Sequence, residues 1–294
     1  YKSLKSQLYM VQLIDKDIKT REVKEWSGLH LLHFIGSSCS QKVRIMLNLT
    51  GVKWHSHPVN LIKQEHLSEW YLGINPRGLV PCLIHNGDVH IESNDILIYI
   101  DKNFNKNKLI PHNKLEYISK ELKFEDDLHL DLRTLTFRFT VPTFLGKKDS
   151  KLLELLAKDR TIRGQIDNHK KNQLAFWKSY EEQGINDEQA RISISKFKEA
   201  FKRLEQNLKK NDYLLGKDIT VLDIAWFIYV NRLGVAGYPF QKEHPNLYLW
   251  FRKLFLIKEF AKETIVPFPV NLIGSLFRAT QIIKGNTIKK IGSF

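Results

Sequence analysis

The fold is decided by residues 29–59, which read LHLLHFIGSSCSQKVRIMLNLTGVKWHSHPV. The apolar stretch LHLLHF predicts a β-strand. In the following SQKVRIMLNLT, apolar residues recur at helical spacing, and Gly51 predicts the end of that helix. KWHSHPV predicts a second strand, so this part of the chain begins with a strand, a helix and a strand.

Residues 63–104 complete a small domain. KQEHLSEWYLG predicts a short helix, LVPCLIH a strand, Asn86-Gly87 a two-residue hairpin turn, and DVHIE the returning antiparallel strand. SNDILIYIDKNF then predicts a helix that Ser93 caps. This order predicts a mixed four-stranded sheet with helices on both faces, which is the thioredoxin-like plan of an α/β domain, over residues 29–108.

The chain after the linker at 109–113 shows helical patterns only, so 109–294 is predicted to be an all-helical domain with a basic C-terminal tail. One buried helical stripe is formed by Phe197, Phe201, Leu204 and Leu208. Thr220 and Asp223 form a variant of the capping box, and the helix that they open is apolar on almost every side. Residues 1–28 are polar and charged and are predicted to be an N-terminal arm.

Composition excludes several classes of protein. The 294 residues include 46 Lys and Arg against 32 Asp and Glu, but acids interrupt the basic residues and no nucleic-acid motif is present, so we expect no nucleic-acid partner. No apolar run reaches the roughly 18 residues of a membrane span, so we expect no membrane partner. Two cysteines, Cys39 and Cys82, cannot form a disulfide framework, and no Cys/His cluster has zinc spacing, which favours a cytoplasmic protein without a metal. Residues 1–9 are expected to be an upstream extension, because Met10 opens MVQLIDKD.

Ser37, Ser38 and Cys39 lie at the predicted turn from the first strand to the first helix. A helix N-terminus presents unpaired backbone amides and the positive end of the helix dipole, which favour anions and thiolates. It lowers the pKa of a thiol below the reference value of about 8.5. The structural alternative is a serine cap beside a small buried cysteine, and the local sequence does not decide between the two. Lys42 excludes a Cys-x-x-Cys dithiol.

Two further motifs lie at the ends of later predicted strands. Val80-Pro81 stands where the third strand begins, and a cis bond there would turn the Val80 amide and carbonyl outward, toward a peptide lying alongside. Glu92 and Ser93 follow the fourth strand, where the carboxylate could hold an ammonium group and the hydroxyl a carboxylate. A strand-start proline at a sheet edge and a plain serine cap are the structural alternatives. In this topology the three motifs converge at one end of the sheet and fit glutathione, a γ-glutamyl tripeptide with a central thiol.

Together these motifs resemble those of the glutathione S-transferase family, over residues 29–263. SSCSQKVRI is similar to the Ser-Ser-Cys-Ser turn of zeta-class enzymes, which include maleylacetoacetate isomerases. SEWYLGINPRGLVPCL and the large helical domain are more similar to bacterial β-etherases, which cleave aryl ethers with glutathione. The resemblance implies the glutathione transferase fold, glutathione as co-substrate and a homodimer.

The resemblance also implies site residues. The implied catalytic residues are Ser37, Ser38 and Cys39. The implied glutathione-binding residues are Val80, Pro81, Glu92, Ser93 and His66, of which His66 stands nearest to a glutamine of the zeta enzymes. Ser37 matches the hydroxyl that hydrogen-bonds the glutathione thiolate. Three roles stay open for Cys39, namely stabilising the thiol, forming a mixed disulfide with glutathione, and no role in the reaction.

The electrophile is expected to bind between the two domains, against the long helix after the linker and an aromatic cluster. The candidate substrate-binding residues are Arg133, Phe137, Trp177 and Tyr180. The structural alternative for Arg133 is a solvated arginine on a helix surface.

The predicted function is therefore activation of the glutathione thiol for attack on a small electrophile, aromatic or unsaturated, by conjugation, ether cleavage or dehalogenation. Two alternatives differ in class. One is a glutathione-binding or partner-binding module without turnover, since a fold does not imply an activity. The other is a thiol oxidoreductase centred on Cys39.

Overall fold

A computed structural model describes residues 11–158, 161–266 and 268–294 of the chain. The chain divides into two compact units. The first unit runs to Lys106 and also contains Lys147–Gly184, and the second comprises Asn107–Gly146 and Ile185–Phe294.

The regular elements alternate in the first hundred residues and are mostly helical afterwards. The strands of the described residues are β1 (Leu29–His33), β2 (His55–Pro58), β3 (Cys82–His85), β4 (Asp88–His90), β5 (Thr161–Ile162) and β6 (Gln165–Ile166). The α-helices are α1 (Ser38–Thr50), α2 (Glu69–Leu72), α3 (Ser93–Phe104), α4 (Leu115–Asp127), α5 (His129–Phe139), α6 (Thr143–Gly146), α7 (Ser150–Ala157), α8 (Asn168–Gln183), α9 (Asp187–Leu208), α10 (Val221–Val235), α11 (Phe240–Glu243), α12 (Pro245–Phe255), α13 (Lys258–Thr264), α14 (Phe268–Ile283) and α15 (Ile288–Ile291). Within the described part of the chain, no helix combines the length and the apolar character needed to cross a bilayer.

The first four strands form one mixed sheet in the order β2-β1-β3-β4. β1 is parallel to β2 and antiparallel to β3, with Leu32 opposite Cys82. β4 returns antiparallel to β3 through Asn86 and Gly87, both of which have positive φ, as a two-residue hairpin turn requires. This topology confirms the predicted thioredoxin-like domain.

The sheet is buried on both faces at β1, which is apolar on both. Leu31 and Leu32 point to opposite sides of β1, and both are fully buried. Removing a leucine side chain from water contributes roughly 1.5–3 kcal/mol, so the burial of these two residues stabilises the packing on both faces of β1.

Residues 11–28 belong to this core and do not form the arm that their composition predicts. Leu13, Ile18 and Val23 are buried in the same cluster as Leu32. The Leu13 amide donates to the Val89 carbonyl at 2.8 Å, which places this stretch beside β4. The sequence does not show this burial, because Leu13, Ile18 and Val23 are five positions apart and so follow neither the helical nor the strand period. Residues 1–10 of the predicted arm lie outside the described residues.

The helix predicted over 63–73 is divided into a 3-10 turn, Glu65–Leu67, and the short α2. Ser68 separates them, because its side chain accepts a hydrogen bond from the Tyr71 amide at 3.2 Å and so caps α2.

The segment 147–184 departs from the predicted domain division, since it was assigned to the helical domain and clusters with the first unit. Leu156 of α7 is buried with Leu67 and Leu72. The segment also contains the small β5–β6 hairpin, which the all-helical prediction missed because two-residue strands are too short to show a period. Segment 147–184 therefore groups with residues 11–106, which its apolar side chains contact, and not with the helices that precede and follow it in the sequence.

The second unit is helical, as predicted. The stripe of apolar residues on α9 is buried, and α10 is buried on almost every side. Asp223 at the start of α10 accepts hydrogen bonds from the Thr220 amide at 2.8 Å and from the Trp250 indole at 2.8 Å. Its carboxylate also accepts from the Leu214 amide and the Thr220 hydroxyl, both at 3.0 Å. The predicted capping box is therefore the centre of a buried network that joins α10 to α12.

Replacing Asp223 by Ala should lower the free energy of unfolding by about 3 kcal/mol or more, because several buried donors lose their acceptor at once. Asp223→Asn should cost less, since the amide oxygen still caps the helix. Urea denaturation followed by circular dichroism measures both changes. Asp218→Ala, at an exposed position of the same loop, is the control, and an equal loss in that variant would contradict the role given to Asp223.

Candidate active site

The sheet register brings the three predicted motifs to one edge. Because β1 and β4 are both antiparallel to β3, the ends of β1 and β4 lie beside the beginning of β3. Ser37 follows the end of β1, Val80 precedes the beginning of β3 and Glu92 follows the end of β4. Because adjacent strands are about 4.8 Å apart, these three residues lie near one another.

The turn between β1 and α1 presents Ser37, Ser38 and Cys39, all half-buried. Ser37 is the N-cap of α1, and its Oγ accepts a hydrogen bond from the Ser40 amide at 3.2 Å. A serine hydroxyl that accepts in this way keeps its own proton for a further acceptor. The structure thus makes Ser37 a cap, and leaves its O–H able to donate to an anion at the helix N-terminus.

Arg44, which lies about two helical turns beyond Ser37 on α1, fixes the conformation of this turn. Its guanidinium donates to the carbonyls of Phe34 at 3.1 Å and Ile35 at 3.0 Å, and to Nδ1 of His33 at 3.0 Å. His33 can accept there only as the neutral ring, and its Nε2 then donates to Ser56 Oγ at 2.7 Å. Burial, with the charge of Arg44, lowers the pKa of His33 to about 4, which keeps the ring neutral at pH 7.

The loop before β3 is held from behind and presents Val80. The Val80-Pro81 peptide bond is cis. The Leu79 carbonyl accepts from the Tyr71 hydroxyl and from the Asn75 amide, both at 2.7 Å. The backbone hydrogen bonds outside helices and strands include none to the Val80 amide or carbonyl among the described residues. These two groups are therefore available to an extended peptide.

Glu92 and Ser93 stand where β4 gives way to α3. Glu92 occupies the cap position with φ of 69° and ψ of 116°, and Ser93 is the first helical residue, one position later than its predicted place as cap. A positive φ is uncommon outside glycine and is maintained only where the surroundings enforce it. Here Arg77 donates from Nη1 to Oε1 of Glu92 at 2.5 Å, and its other nitrogens pair with Asp167.

Comparison with known proteins finds a family whose domains match the part of the chain that contains this site. The glutathione S-transferase N-terminal domain matches residues 36–103, which contain all three motifs, and the glutathione S-transferase C-terminal domain matches residues 180–253. Both compact parts of the chain thus match domains of the glutathione S-transferase family.

Two relatives agree with the two resemblances noted in the sequence. A zeta-class glutathione S-transferase of Euphorbia esula is 41% identical over 83 residues, which are 28% of this chain and 37% of the relative. Protein LigF of Sphingobium sp. is 27% identical over 237 residues, 77% of this chain and 89% of LigF. The crystal structure of beta-etherase LigF matches with a TM-score of 0.67 at 26% identity, over 80% of this chain and 98% of LigF. The chain spans less than two fifths of the length of the first curated relatives that it matches.

His66 lies in the 3-10 turn before α2 and is only 6% exposed. Its Nδ1 has no hydrogen-bond partner among the described residues. Burial, with the charge of Lys148, lowers the pKa of His66 to about 3. A role in binding glutathione stays a prediction for this residue, which presents little of its ring to a ligand.

The four candidate substrate residues are divided between the two units. Arg133 and Phe137 lie one turn apart on α5 in the second unit. Trp177 and Tyr180 lie on α8 in the first unit, edge to face with ring centroids 6.2 Å apart, and Tyr180 is buried. Their contact with a substrate stays a prediction.

Three charged residues of the site were missed from the sequence. Arg44 sits on the buried side of a helix, where a charge is unusual, and Arg77 sits inside NPRGLVP beside the Val80-Pro81 motif. Both positions carry a local signal. Asp167 carries none, since it is 90 positions from the arginine that it binds. Among the described residues, no group of three or more His, Cys, Asp or Glu side chains is arranged to hold a metal ion.

The burial of His66 predicts a pH dependence of stability. Its pKa is about 3 in the folded chain and about 6.5 when unfolded, so folding excludes a proton, and the stability present above pH 6.5 falls as the pH is lowered toward 3. At pH 5.5 the His66→Gln variant should reduce the slope of unfolding free energy against pH by about 1.2 kcal/mol per unit. Urea titrations at pH 5, 5.5 and 6 measure this slope, and an unchanged slope would show that the ring is not buried.

Proposed function

We propose that this chain is a glutathione-dependent transferase that activates the glutathione thiol for attack on a small aromatic or unsaturated electrophile. The observation that carries the proposal is the single sheet edge on which a capped helix N-terminus, a strand-start Val80 with available backbone groups and a Glu92-Ser93 pair lie side by side. These groups match in order a thiol, a peptide backbone and an amino-acid head group.

Ser37 is proposed to stabilise the glutathione thiolate. Its Oγ is already fixed by the Ser40 amide, so the hydroxyl proton is directed without a further loss of rotamer freedom. A hydrogen bond to the charged form lowers a pKa, and the positive end of the α1 dipole acts in the same direction. Thiolate is the nucleophilic form of a thiol, so more of it at neutral pH raises the rate of attack.

The remaining residues are proposed to orient the tripeptide. The Val80 amide and carbonyl pair with the cysteinyl backbone of glutathione, in the manner of an added strand. Ser93 and the first amides of the twelve-residue α3 hold the γ-glutamyl carboxylate, and Glu92 holds its ammonium group. Holding both ends fixes the sulfur against the helix N-terminus.

Ether cleavage is the first activity to assay, because the likeness to the beta-etherase LigF extends over most of both chains. In that reaction the sulfur forms a bond to carbon, the carbon–oxygen bond breaks, and the phenolate leaves and takes up a proton. The zeta-class likeness supports isomerase-type and conjugation substrates as the second group to test. The proposal also includes a homodimer in the cytoplasm, which gel filtration and localisation of a tagged chain test.

Ser37→Ala should raise the pKa of the bound glutathione thiol by about one unit or more, because one hydrogen bond to a charged group is lost. The ultraviolet absorbance of the thiolate, followed against pH in the complex, measures this value. Ser37→Thr is the control, since threonine keeps both the cap and the hydroxyl.

Cys39→Ala distinguishes the transferase from the thiol oxidoreductase. The transferase predicts that Cys39→Ala keeps most of its turnover while Ser37→Ala loses about tenfold or more. Loss of turnover in Cys39→Ala, with Ser37→Ala unaffected, would contradict the assignment and favour the oxidoreductase. Retention on immobilised glutathione without turnover of aryl ethers or conjugation substrates would favour a binding module.

A further inference from the structure

The carboxylate of Asp167, in segment 147–184, binds Arg77, which also binds Glu92 of the proposed glutathione site. Arg77 donates to Asp167 from Nε at 2.7 Å and from Nη2 at 2.9 Å, and to Glu92 from Nη1 at 2.5 Å. The side chains of Arg77 and Asp167 are 14% and 12% exposed, and that of Glu92 is 27% exposed. The three charges thus form a triad that is largely withdrawn from water, with Glu92 at its open end.

The charge balance of this triad decides what Glu92 can bind. Arg77 alone would neutralise Glu92, and a neutral pair has little attraction for an ammonium group. The second carboxylate, from Asp167, restores one net negative charge. Burial opposes the charge on Arg77, but the hydrogen bonds and charges of Asp167 and Glu92 outweigh it and raise the pKa of the guanidinium. Arg77 therefore stays a cation, and its charge is balanced by the carboxylates of both Asp167 and Glu92.

Asp167 is held in place by the parts of segment 147–184 around it. It caps α8 by accepting from the His169 amide, and it directly follows β6. The β5–β6 hairpin is fastened to Asp17, whose buried carboxylate accepts from the Arg163 amide at 2.7 Å. Leu156, on α7 of the same segment, packs against Gly78, where an added Cβ would lie 3.2 Å from Cδ1 of Leu156. Gly78 stands next to Arg77, so the segment is packed against the loop that carries the arginine.

We propose that segment 147–184 completes the γ-glutamyl end of the glutathione site, with Asp167 as a positioning residue that acts through Arg77 to orient Glu92 and keep it able to bind an ammonium group. The inference rests on the proposed function. Most of this segment lies between the two regions that match the family, residues 36–103 and 180–253, so it adds a feature that the family match does not assign.

The test compares two peptides on the full chain by isothermal titration calorimetry. One is glutathione, and the other is the same tripeptide with hydrogen in place of the α-ammonium group. Asp167→Asn should weaken glutathione roughly tenfold, the size expected for a lost interaction with a charged group, and change the affinity of the deaminated peptide by less than about threefold. Asp167→Glu should keep most of the preference for glutathione.

Two further variants separate charge from packing. Glu69→Gln breaks the Glu69–Lys158 ion pair, which joins the same segment to α2 outside the triad, and should leave the affinity for both peptides unchanged. The double variant Arg77→Met/Asp167→Leu removes both inner charges, leaves Glu92 negative, and should recover part of the preference that Asp167→Asn loses.

The outcomes are distinct. Loss of affinity for glutathione alone in Asp167→Asn supports the proposal. If Asp167→Asn does not fold, a preference of the double variant for glutathione over the deaminated peptide supports the proposal, and equal affinity for the two peptides overturns it. Equal weakening of both peptides, or no change in either, overturns it while leaving the proposed function in place. A wild-type chain that binds neither peptide overturns the proposed function, and this inference with it.

Discussion

The position of β1 between a parallel and an antiparallel neighbour is the constraint on which the site depends. β1 pairs with β2 on one side and with β3 on the other, and Leu31 and Leu32 are buried on its two faces. That register places the end of β1, the beginning of β3 and the end of β4 at one edge. The N-terminus of α1, Val80 before β3 and the Glu92-Ser93 pair at the start of α3 are then adjacent, and this is the arrangement that the proposed glutathione site requires.

Arg44, which is buried, and Arg77, whose side chain is largely withdrawn from water, connect this scaffold to the proposed site. Arg44 closes the turn that carries Ser37 by binding the carbonyls of Phe34 and Ile35. Arg77 fixes Glu92 and is itself balanced by Asp167. Buried charges contribute little to stability on their own, because desolvation offsets the attraction, but they fix a geometry that apolar packing would leave loose. The site thus uses charge for orientation and the apolar core for stability.

The sequence predicted what local patterns encode and missed what distant contacts decide. The Val43 to Leu47 spacing, the Asn86-Gly87 turn and the Thr220-Asp223 cap each depend on a few neighbouring residues, and each element is present in the structure. Residues 11–28 were assigned to an arm, because burying Leu13, Ile18 and Val23 requires a partner far along the chain. The placement of segment 147–184 and the pairing of Asp167 with Arg77 were missed for the same reason. Within the site, Ser37, Val80 and Glu92 belong to motifs that are visible in the sequence. The contacts of Arg44 and Arg77 with these motifs are visible only in the structure.

The most direct test of this account is a structure of the chain with glutathione bound. The account predicts that the sulfur lies within hydrogen-bonding distance of Ser37 Oγ, that the cysteinyl backbone pairs with Val80, and that the α-ammonium group contacts Glu92 while Arg77 and Asp167 remain paired behind it. A sulfur bonded to or facing Cys39 Sγ, with Ser37 turned away, would contradict it.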